Sequence, residues 1–344
     1  MEIPKTMKAV RFRAGVSILD ATVAEEVELP VPVAKGSDLL IKVEAVALNP
    51  VDTKVRPKAG AEDMVLGYDA AGQVAAVGAE ALGFSVGDRV YYSGDVRRPG
   101  SNAEYQLVDS RLVGRAPESM DWAEAAALPL TSLTAWESLF DRLGIDPDGA
   151  DAGKSILVIG GAGGVGSIGI QLAKHAGLRV VATASRPESA SWCRSLGAEE
   201  VVDHSGDLEA EMASRGFAEV DFIANFNNTD AYWDTMGRLV APQGKVVLIV
   251  EPTGELPMGG EFKRKSVTIV WEFMFTRSMF ETEDLAQQGV ILNRIAEAMD
   301  AGQLRSTMQE VAGEITAANV IRAHRQIQEG RTIGKRVLAG WSKG

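Results

Sequence analysis

Apolar positions along this chain have two textures. Over the first ~115 residues they form short runs broken by Gly, Asp and Asn: DLLIKVEAVAL (38–48), GQVAAVG (72–78), GDRVYYSG (87–94) and AEYQLVD (103–109). Runs of this length with such punctuation predict the strands of a β-barrel or sandwich. From Lys154 onward, continuous apolar runs at 155–160, 178–183, 199–203, 219–224, 244–250 and 266–274 alternate with helical stretches. Strands that are apolar at consecutive positions predict a parallel sheet covered on both faces. Six of them in βαβ alternation predict a doubly wound α/β domain.

Helix signals sit between and after these blocks. Asp121 with Glu124 three residues later forms an N-terminal capping pattern, and TSLTAWESLFDRLG follows as a second helix with Gly144 at its end. TEDLAQQGVILNRIAEAMDAG predicts a helix capped by Thr282, with Glu283 and Asp284 in its first turn and Gly302 past its last. TAANVIRAHRQIQEG predicts another, ending at Gly330, and GKRVLAGW predicts a closing strand that returns to the first domain.

Composition narrows the class. Length 344 suggests about two domains. Hydrophobic residues at 46% supply a full core. The formal net charge is -12, from 47 acids against 35 bases, which argues against nucleic acid or an anionic membrane as the main partner. The one cysteine, Cys193, leaves no intrachain disulfide. MEIPKTMKAV has no apolar signal core, and no run reaches the ~18 apolar residues of a membrane span. The expectation is a cytoplasmic enzyme.

The strongest motif is SILVIGGAGGVGSIGIQLAKHAG, which carries Gly161-x-Gly163-x-x-Gly166 with Gly164 and Val165 inside it. It follows a predicted strand and opens a predicted helix, the context that a dinucleotide loop needs. In this reading Gly161 allows the tight turn, Gly163 admits the pyrophosphate and Gly166 lets the helix pack on the sheet. Sites for NAD place an acid about 20 residues further on, at the second strand end. Here VVATASRPES puts Ser185 and Arg186 there. A hydroxyl and a guanidinium suit a 2'-phosphate, which favours NADPH. His204, after the third strand, faces either the adenosine phosphate or a surface loop. Asn225 and Val250 follow the fourth and fifth strands at carboxyl ends, where ligands bind in such sheets.

These residues, together with LNPVDTKVR, LGYDAAG, PGSNAEY, AAALPLTSLTAWE and TIGKRVL, resemble the medium-chain dehydrogenase/reductase superfamily over essentially the whole chain. Within it they look like the zinc-lacking, quinone oxidoreductase-like branch, and closest to a group often labelled zinc-type alcohol dehydrogenase-like. The resemblance implies a GroES-like catalytic domain over 1–128 completed by 303–344, a Rossmann NADPH-binding domain over 129–302, and a cleft between them for the nicotinamide. In zinc alcohol dehydrogenases a Cys stands where this chain has Asn49, a His-Glu pair where it has Tyr68 and Asp69, and a third ligand near Leu130. Tetrahedral zinc needs converging Cys, His or carboxylate donors. With these positions altered and His175, His204 and His324 at no ligand spacing, no catalytic zinc is expected.

Without a metal, reduction of an activated C=C bond or a quinone is less demanding than alkoxide formation. Hydrogen-bond donors can stabilise the charge that collects on the acceptor oxygen. Candidate donors are Asn49, Tyr68, Lys54, Tyr92 and Thr131, with core packing and a satisfied hydroxyl as the alternative for Tyr68 and Tyr92. Asp69 is expected to order its loop, since an ordinary carboxyl is ionised at pH 7. The resemblance further implies Thr134 beside the nicotinamide, Lys335 near the cofactor or at the surface, and a homodimer paired through the 266–274 strand. The expected substrate is a small carbonyl or quinone. The alternatives are a zinc-independent carbonyl or alcohol oxidoreductase and a non-catalytic NADPH-binding protein.

One consequence is measurable. Replacing Arg186 with Ala is expected to raise the KM for NADPH far more than that for NADH, by about 1.5–3 kcal/mol of lost 2'-phosphate binding. Steady-state kinetics or direct binding with both cofactors checks this, and equal effects on the two would remove the argument for NADPH.

Overall fold

The structure, a computed structural model, describes residues 2–342. Along the chain come β1 (Thr6–Phe12), β2 (Ala24–Pro30), β3 (Asp38–Ala47), α1 (Pro50–Lys54), β4 (Met64–Val65), β5 (Ala70–Val77), β6 (Arg89–Tyr92), β7 (Tyr105–Asp109), β8 (Val113–Arg115), α2 (Trp122–Ala126) and α3 (Pro129–Trp136). A βαβ series follows: β9 (Ser155–Ile159), α4 (Gly164–His175), β10 (Arg179–Thr183), α5 (Pro187–Ser195), β11 (Glu200–Val202), α6 (Leu208–Ser214), β12 (Val220–Asn225), α7 (Thr229–Leu239) and β13 (Val240–Leu248). The chain ends with α8 (Glu261–Arg264), β14 (Thr268–Trp271), α9 (Thr276–Phe280), α10 (Gln287–Asp300), β15 (Met308–Val311), α11 (Ala317–Gln328) and β16 (Lys335–Ala339).

Two units result, one of residues 1–133 with 275–344 and one of residues 134–274. This division differs from the expected break at 128/129 and 302/303. Helix α10 packs on β8, with its Gly289 facing the Arg111 and Val113 carbonyl oxygens, so residues 275–302 belong to the first unit.

The first unit holds a seven-stranded sheet, β15-β16-β3-β5-β6-β8 with β7 also on β3, and a three-stranded sheet, β2-β1-β4. Alternating burial gives it a core of Val10, Phe12, Leu39, Ile41, Val46, Val74, Val90 and Leu338, among others. Strands β3 and β5 approach closely at Gly72, where a Cβ would lie 2.1 Å from the Lys42 carbonyl oxygen. The C-terminal strand β16 pairs antiparallel with β3, Val337 opposite Ala47. That register places Lys335 beside the residues that leave β3.

The second unit is a six-stranded sheet in the order β11-β10-β9-β12-β13-β14, every pairing parallel. The first three strands diverge from β9 in one direction and the last three in the other, which makes a doubly wound, Rossmann-type sheet. Strand β9 (SILVI) is buried at its last four positions, as a strand covered on both faces must be.

Local signals explain most boundaries. Asp121 accepts the Glu124 N–H at 2.9 Å, and the Glu124 carboxylate accepts the Asp121 N–H at 3.2 Å. Thr316 caps α11 through the Asn319 N–H at 3.3 Å. Gly144, Gly302 and Gly330 all end helical segments at positive φ. Two boundaries depart from expectation. Helix α3 begins at Pro129 and widens into a π-helical turn over 137–142, where the Leu143 N–H reaches the Ser138 carbonyl at 3.0 Å. The helix expected from Thr282 starts instead at Gln287. The Thr282 hydroxyl bonds Asp284 at 2.7 Å, Asp284 pairs with Arg277 at 2.9 Å, and Glu281 is left-handed at φ 48°. The polar residues read as a cap are thus used by the preceding turn.

Candidate functional site

The glycine loop joins β9 to α4 in the second unit. Gly160, not Gly161, makes the turn: its φ is +81°, in the region that favours glycine. Gly161 is required for another reason. A Cβ there would lie 2.8 Å from the Ala182 Cβ and 3.1 Å from the Cys193 Sγ. Gly166 sits where a Cβ would lie 2.3 Å from the Gly160 carbonyl oxygen. Thr183, at the end of β10, secures the loop by accepting the Gly160 N–H at 3.0 Å. Sequence reasoning passed over Thr183, although it stands at the strand end read for cofactor choice.

Gly163 is the residue before α4 and makes no side-chain cap, and Gly163, Gly164 and Val165 are partly exposed. A helix start without a side-chain cap leaves first-turn N–H groups available, and the dipole favours an anion there. The loop therefore fits a dinucleotide pyrophosphate, and a Cβ at Gly163 would meet no side chain within 4 Å among the described residues. Ser185 and Arg186 are exposed just beyond β10, and Arg186 precedes the first turn of α5, with Pro187 at its first position.

Other expected cofactor residues have more local engagements. Asn225 is buried at the end of β12, where its Oδ1 accepts the Asn227 N–H at 3.0 Å. The Val250 carbonyl accepts the Thr229 hydroxyl. Thr134 is buried in α3. His204 packs edge-on to Tyr232 at 6.3 Å. Burial pulls its pKa below the ordinary histidine value, which keeps the ring neutral rather than a cation for phosphate.

The first unit brings together residues from four segments. Asn49 follows β3, Asp69 precedes β5, Leu130 opens α3 and Lys335 begins β16. The Lys335 ammonium donates to the Leu48 carbonyl at 2.9 Å, to Asn49 Oδ1 at 2.5 Å and to Asp69 Oδ2 at 2.9 Å. Asp69 also accepts the Asn49 amide at 2.7 Å and, through Oδ1, the Leu130 N–H at 2.7 Å. Burial pushes the Asp69 pKa up, while Lys335, Asn49 and Leu130 pull against it. Because three N–H donors converge on this carboxyl and none of its oxygens meets an acceptor, the ionised form is the one the geometry selects. Asp69 thus orders its loop and anchors the first turn of α3.

Lys335 is neither a surface charge nor free to hold a cofactor group, since all three ammonium hydrogens are spent inside the first unit. Asn49 is 1% exposed, with its oxygen on Lys335 and one amide hydrogen on Asp69. Tyr92 donates to Gln106 Oε1 at 2.9 Å in the core, and Thr131 donates to the Leu128 carbonyl at 3.2 Å. Lys54 is exposed at the end of α1. These contacts explain Tyr92 and Thr131 structurally. Tyr68 differs. Its ring is buried edge-on to Phe275 at 5.7 Å, but among the described residues its hydroxyl has one hydrogen-bond contact, a long one of 3.5 Å to the Val96 carbonyl. Burial, with the charges of Asp52 and Asp95, pushes its pKa above the ordinary phenol value, so it stays a proton donor. Among the described residues, no three His, Cys, Asp or Glu side chains converge as a metal ion would require.

Comparison with known proteins places these features in a family context. The alcohol dehydrogenase GroES-like domain model matches residues 35–118, and the zinc-binding dehydrogenase model matches residues 164–288. A zinc-type alcohol dehydrogenase-like protein of Staphylococcus aureus is 38% identical over 334 residues, covering 96% of this chain and 99% of that protein. A 2-methylene-furan-3-one reductase of Solanum lycopersicum is 32% identical over 98% of this chain and 80% of its own length. A solved Rhizobium etli protein, ascribed to the zinc-dependent alcohol dehydrogenases, superposes with a TM-score of 0.93 at 46% identity, covering 98% of this chain and 99% of its own. The quinone oxidoreductase of Pseudomonas syringae superposes with a TM-score of 0.81 at 26% identity, covering 97% and 99%.

The buried cluster makes a stability prediction. Lys335→Met leaves Asp69 as a buried carboxylate without its cation and is expected to cost about 3–5 kcal/mol. Adding Asp69→Asn is expected to restore part of that loss, because the uncompensated charge is gone. Urea unfolding of the two variants and the parent chain checks both. Equal stability of Lys335→Met and the parent would show that the ion pair is energetically silent.

Proposed function

Because the chain belongs to the medium-chain dehydrogenase/reductase superfamily, in its quinone oxidoreductase-like branch, we propose that it is an NADPH-dependent oxidoreductase that reduces a quinone or an α,β-unsaturated carbonyl without zinc. The observation that carries this reading is the Asn49–Asp69–Lys335 cluster. At the positions where zinc relatives hold their ligands, Asn49 and Asp69 are instead bonded to each other and to a buried ammonium. An ammonium 2.5 Å from Asn49 Oδ1 and 2.9 Å from Asp69 Oδ2 takes up the oxygens a metal ion would need and repels a second cation. The names of two relatives support the acceptor class: one is a reductase of 2-methylene-furan-3-one, the other a quinone oxidoreductase.

Loop 160–166 and the first turn of α4 would hold the pyrophosphate, with Ser185 and Arg186 toward the 2'-phosphate. When bound, the nicotinamide supplies a hydride. The chain's part is to exclude water, to orient the acceptor and to stabilise charge on its oxygen. Tyr68 is the assigned donor, because its hydroxyl is protonated and is the least committed of the candidate buried hydroxyls. We also propose a homodimer formed by two copies of β14, one of the sheet's two edge strands; Trp271 at its end and Phe273 just beyond are each about half exposed.

Two measurements test these proposals. NADPH oxidation is followed with quinones, enones and simple ketones after chelator treatment, for the parent chain and Tyr68→Phe. Turnover of quinones or enones that survives chelation and drops at least tenfold in Tyr68→Phe, with NADPH affinity unchanged, is expected. Activity that vanishes with chelation and returns with zinc would overturn the metal-free reading. For assembly, sedimentation at micromolar concentration is expected to give the dimer mass, and a monomer mass counts against pairing through β14.

A further inference from the structure

The cluster around Asn49 contains a second carboxyl group, that of Asp52, which is 1% exposed. Asp52 Oδ2 accepts the Asn49 backbone N–H at 2.7 Å, and its Oδ1 is buried without a hydrogen-bond partner among the described residues. Asp69, by contrast, accepts three N–H bonds. Lys335 has three ammonium hydrogens and gives all three to Leu48, Asn49 and Asp69. None remains for Asp52. The site thus sets two carboxyl groups against one ammonium, and only one of the carboxyls touches it. An isolated carboxylate in such a place is costly, and the group neutralises instead.

We propose that Asp52 stays a neutral carboxylic acid in the folded chain at acidic pH values where exposed aspartates are ionised, and is a positioning residue for Asn49. While Asp52 keeps its proton, Lys335 stays with Asn49 and Asp69. When it ionises, a second buried negative charge competes for the same ammonium and loosens the Asn49 side chain from its pairing.

The surroundings agree. Burial is the main cause that pushes the Asp52 pKa up, to about 7; the Asn49 N–H and Lys335 oppose it and Asp69 adds to it. Tyr68 also senses the Asp52 charge. On its own segment, Lys54 is exposed and the Arg56 guanidinium donates to the Thr53 carbonyl. Helix α11 packs on α1. Its His324 is stacked on Phe12 at 4.8 Å, and burial pulls its pKa down to about 3, so it is neutral. Arg322 and Arg325 on α11 donate to the Ala312 and to the Ile18 and Leu19 carbonyls. No other cation reaches Asp52 among the described residues.

An acid whose folded pKa exceeds its unfolded value stabilises the fold only while protonated. Its contribution is complete below the unfolded value, about 3.9, and is lost as pH rises to the folded value near 7. Asp52→Asn mimics the protonated group and keeps the acceptor for the Asn49 N–H. Between pH 4.5 and 7.5 the unfolding constant of the parent chain is expected to rise at least tenfold, roughly, relative to that of D52N. In the full-length parent chain labelled at aspartate carboxyl carbons, one resonance is expected to titrate within about one unit of pH 7, far from ordinary aspartate. It is expected to be absent from D52N and, in Asp69→Asn, to persist with a lower midpoint, because Asp69 no longer adds to it and Lys335 loses a competing carboxylate. The Asn49 side-chain amide is expected to shift with the same midpoint. Parallel pH–stability curves for the parent and D52N, or a spectrum with every aspartate ionised by pH 6, would overturn the proposal. If D52N does not fold, the parent titration decides alone. The test uses no substrate, so it stands apart from the proposed activity.

Discussion

An ammonium group taken out of water must find oxygens inside the protein, and Lys335 finds three. They come from Leu48, Asn49 and Asp69, and Asp69 lies 266 positions away in the chain. The strand registers make this meeting possible. Val337 opposite Ala47 and Ala70 opposite Val46 bring the start of β16, the end of β3 and the start of β5 to one place. In turn Asp69 fixes the first turn of α3 through the Leu130 N–H. The polar cluster is thus a consequence of sheet pairing and also a constraint on it. A one-residue slip of β16 would leave a charge in the core without its partners.

The second unit works by the opposite principle. There, the loop after β9 is built so that polar groups are left available. Gly163 offers no side chain to cap α4, and Gly160, Gly161 and Gly166 pack so tightly that only hydrogen fits at the last two. Thr183 holds the loop from behind. One unit spends its donors on internal acceptors, whereas the other reserves backbone donors for an anion.

The sequence made the architecture legible wherever periodicity carried it. Continuous apolar runs identified the parallel strands, and Asp121 with Glu124 announced its helix. It was weaker where one polar residue had two possible partners. Thr282 reads as a helix cap, but Asp284 and Arg277 claim that turn. Tyr92 reads equally as donor or core, and only the position of Gln106 decides. Lys335 offered no local sign of burial, because its three acceptors come from distant segments. Asp52 had such a sign: Asn49-Pro50-Val51-Asp52 has the spacing of a capping pair, with Pro at the first helical position. That pattern foretells the hydrogen bond. It does not foretell the missing cation, which depends on how Lys335 spends its hydrogens.

The return of β16 to β3 has a consequence for the order in which the molecule is made. The second unit is one uninterrupted stretch, residues 134–274, whereas the first is split across both ends of the chain. During synthesis the dinucleotide-loop unit can therefore close while the earlier segment still waits for a strand. The cation that neutralises Asp69 is made only after that whole unit. Until then the nascent β3 lacks β16 beside it and Asp69 has no counter-ion, so a protein with a self-contained centre depends on a later segment to complete an earlier one.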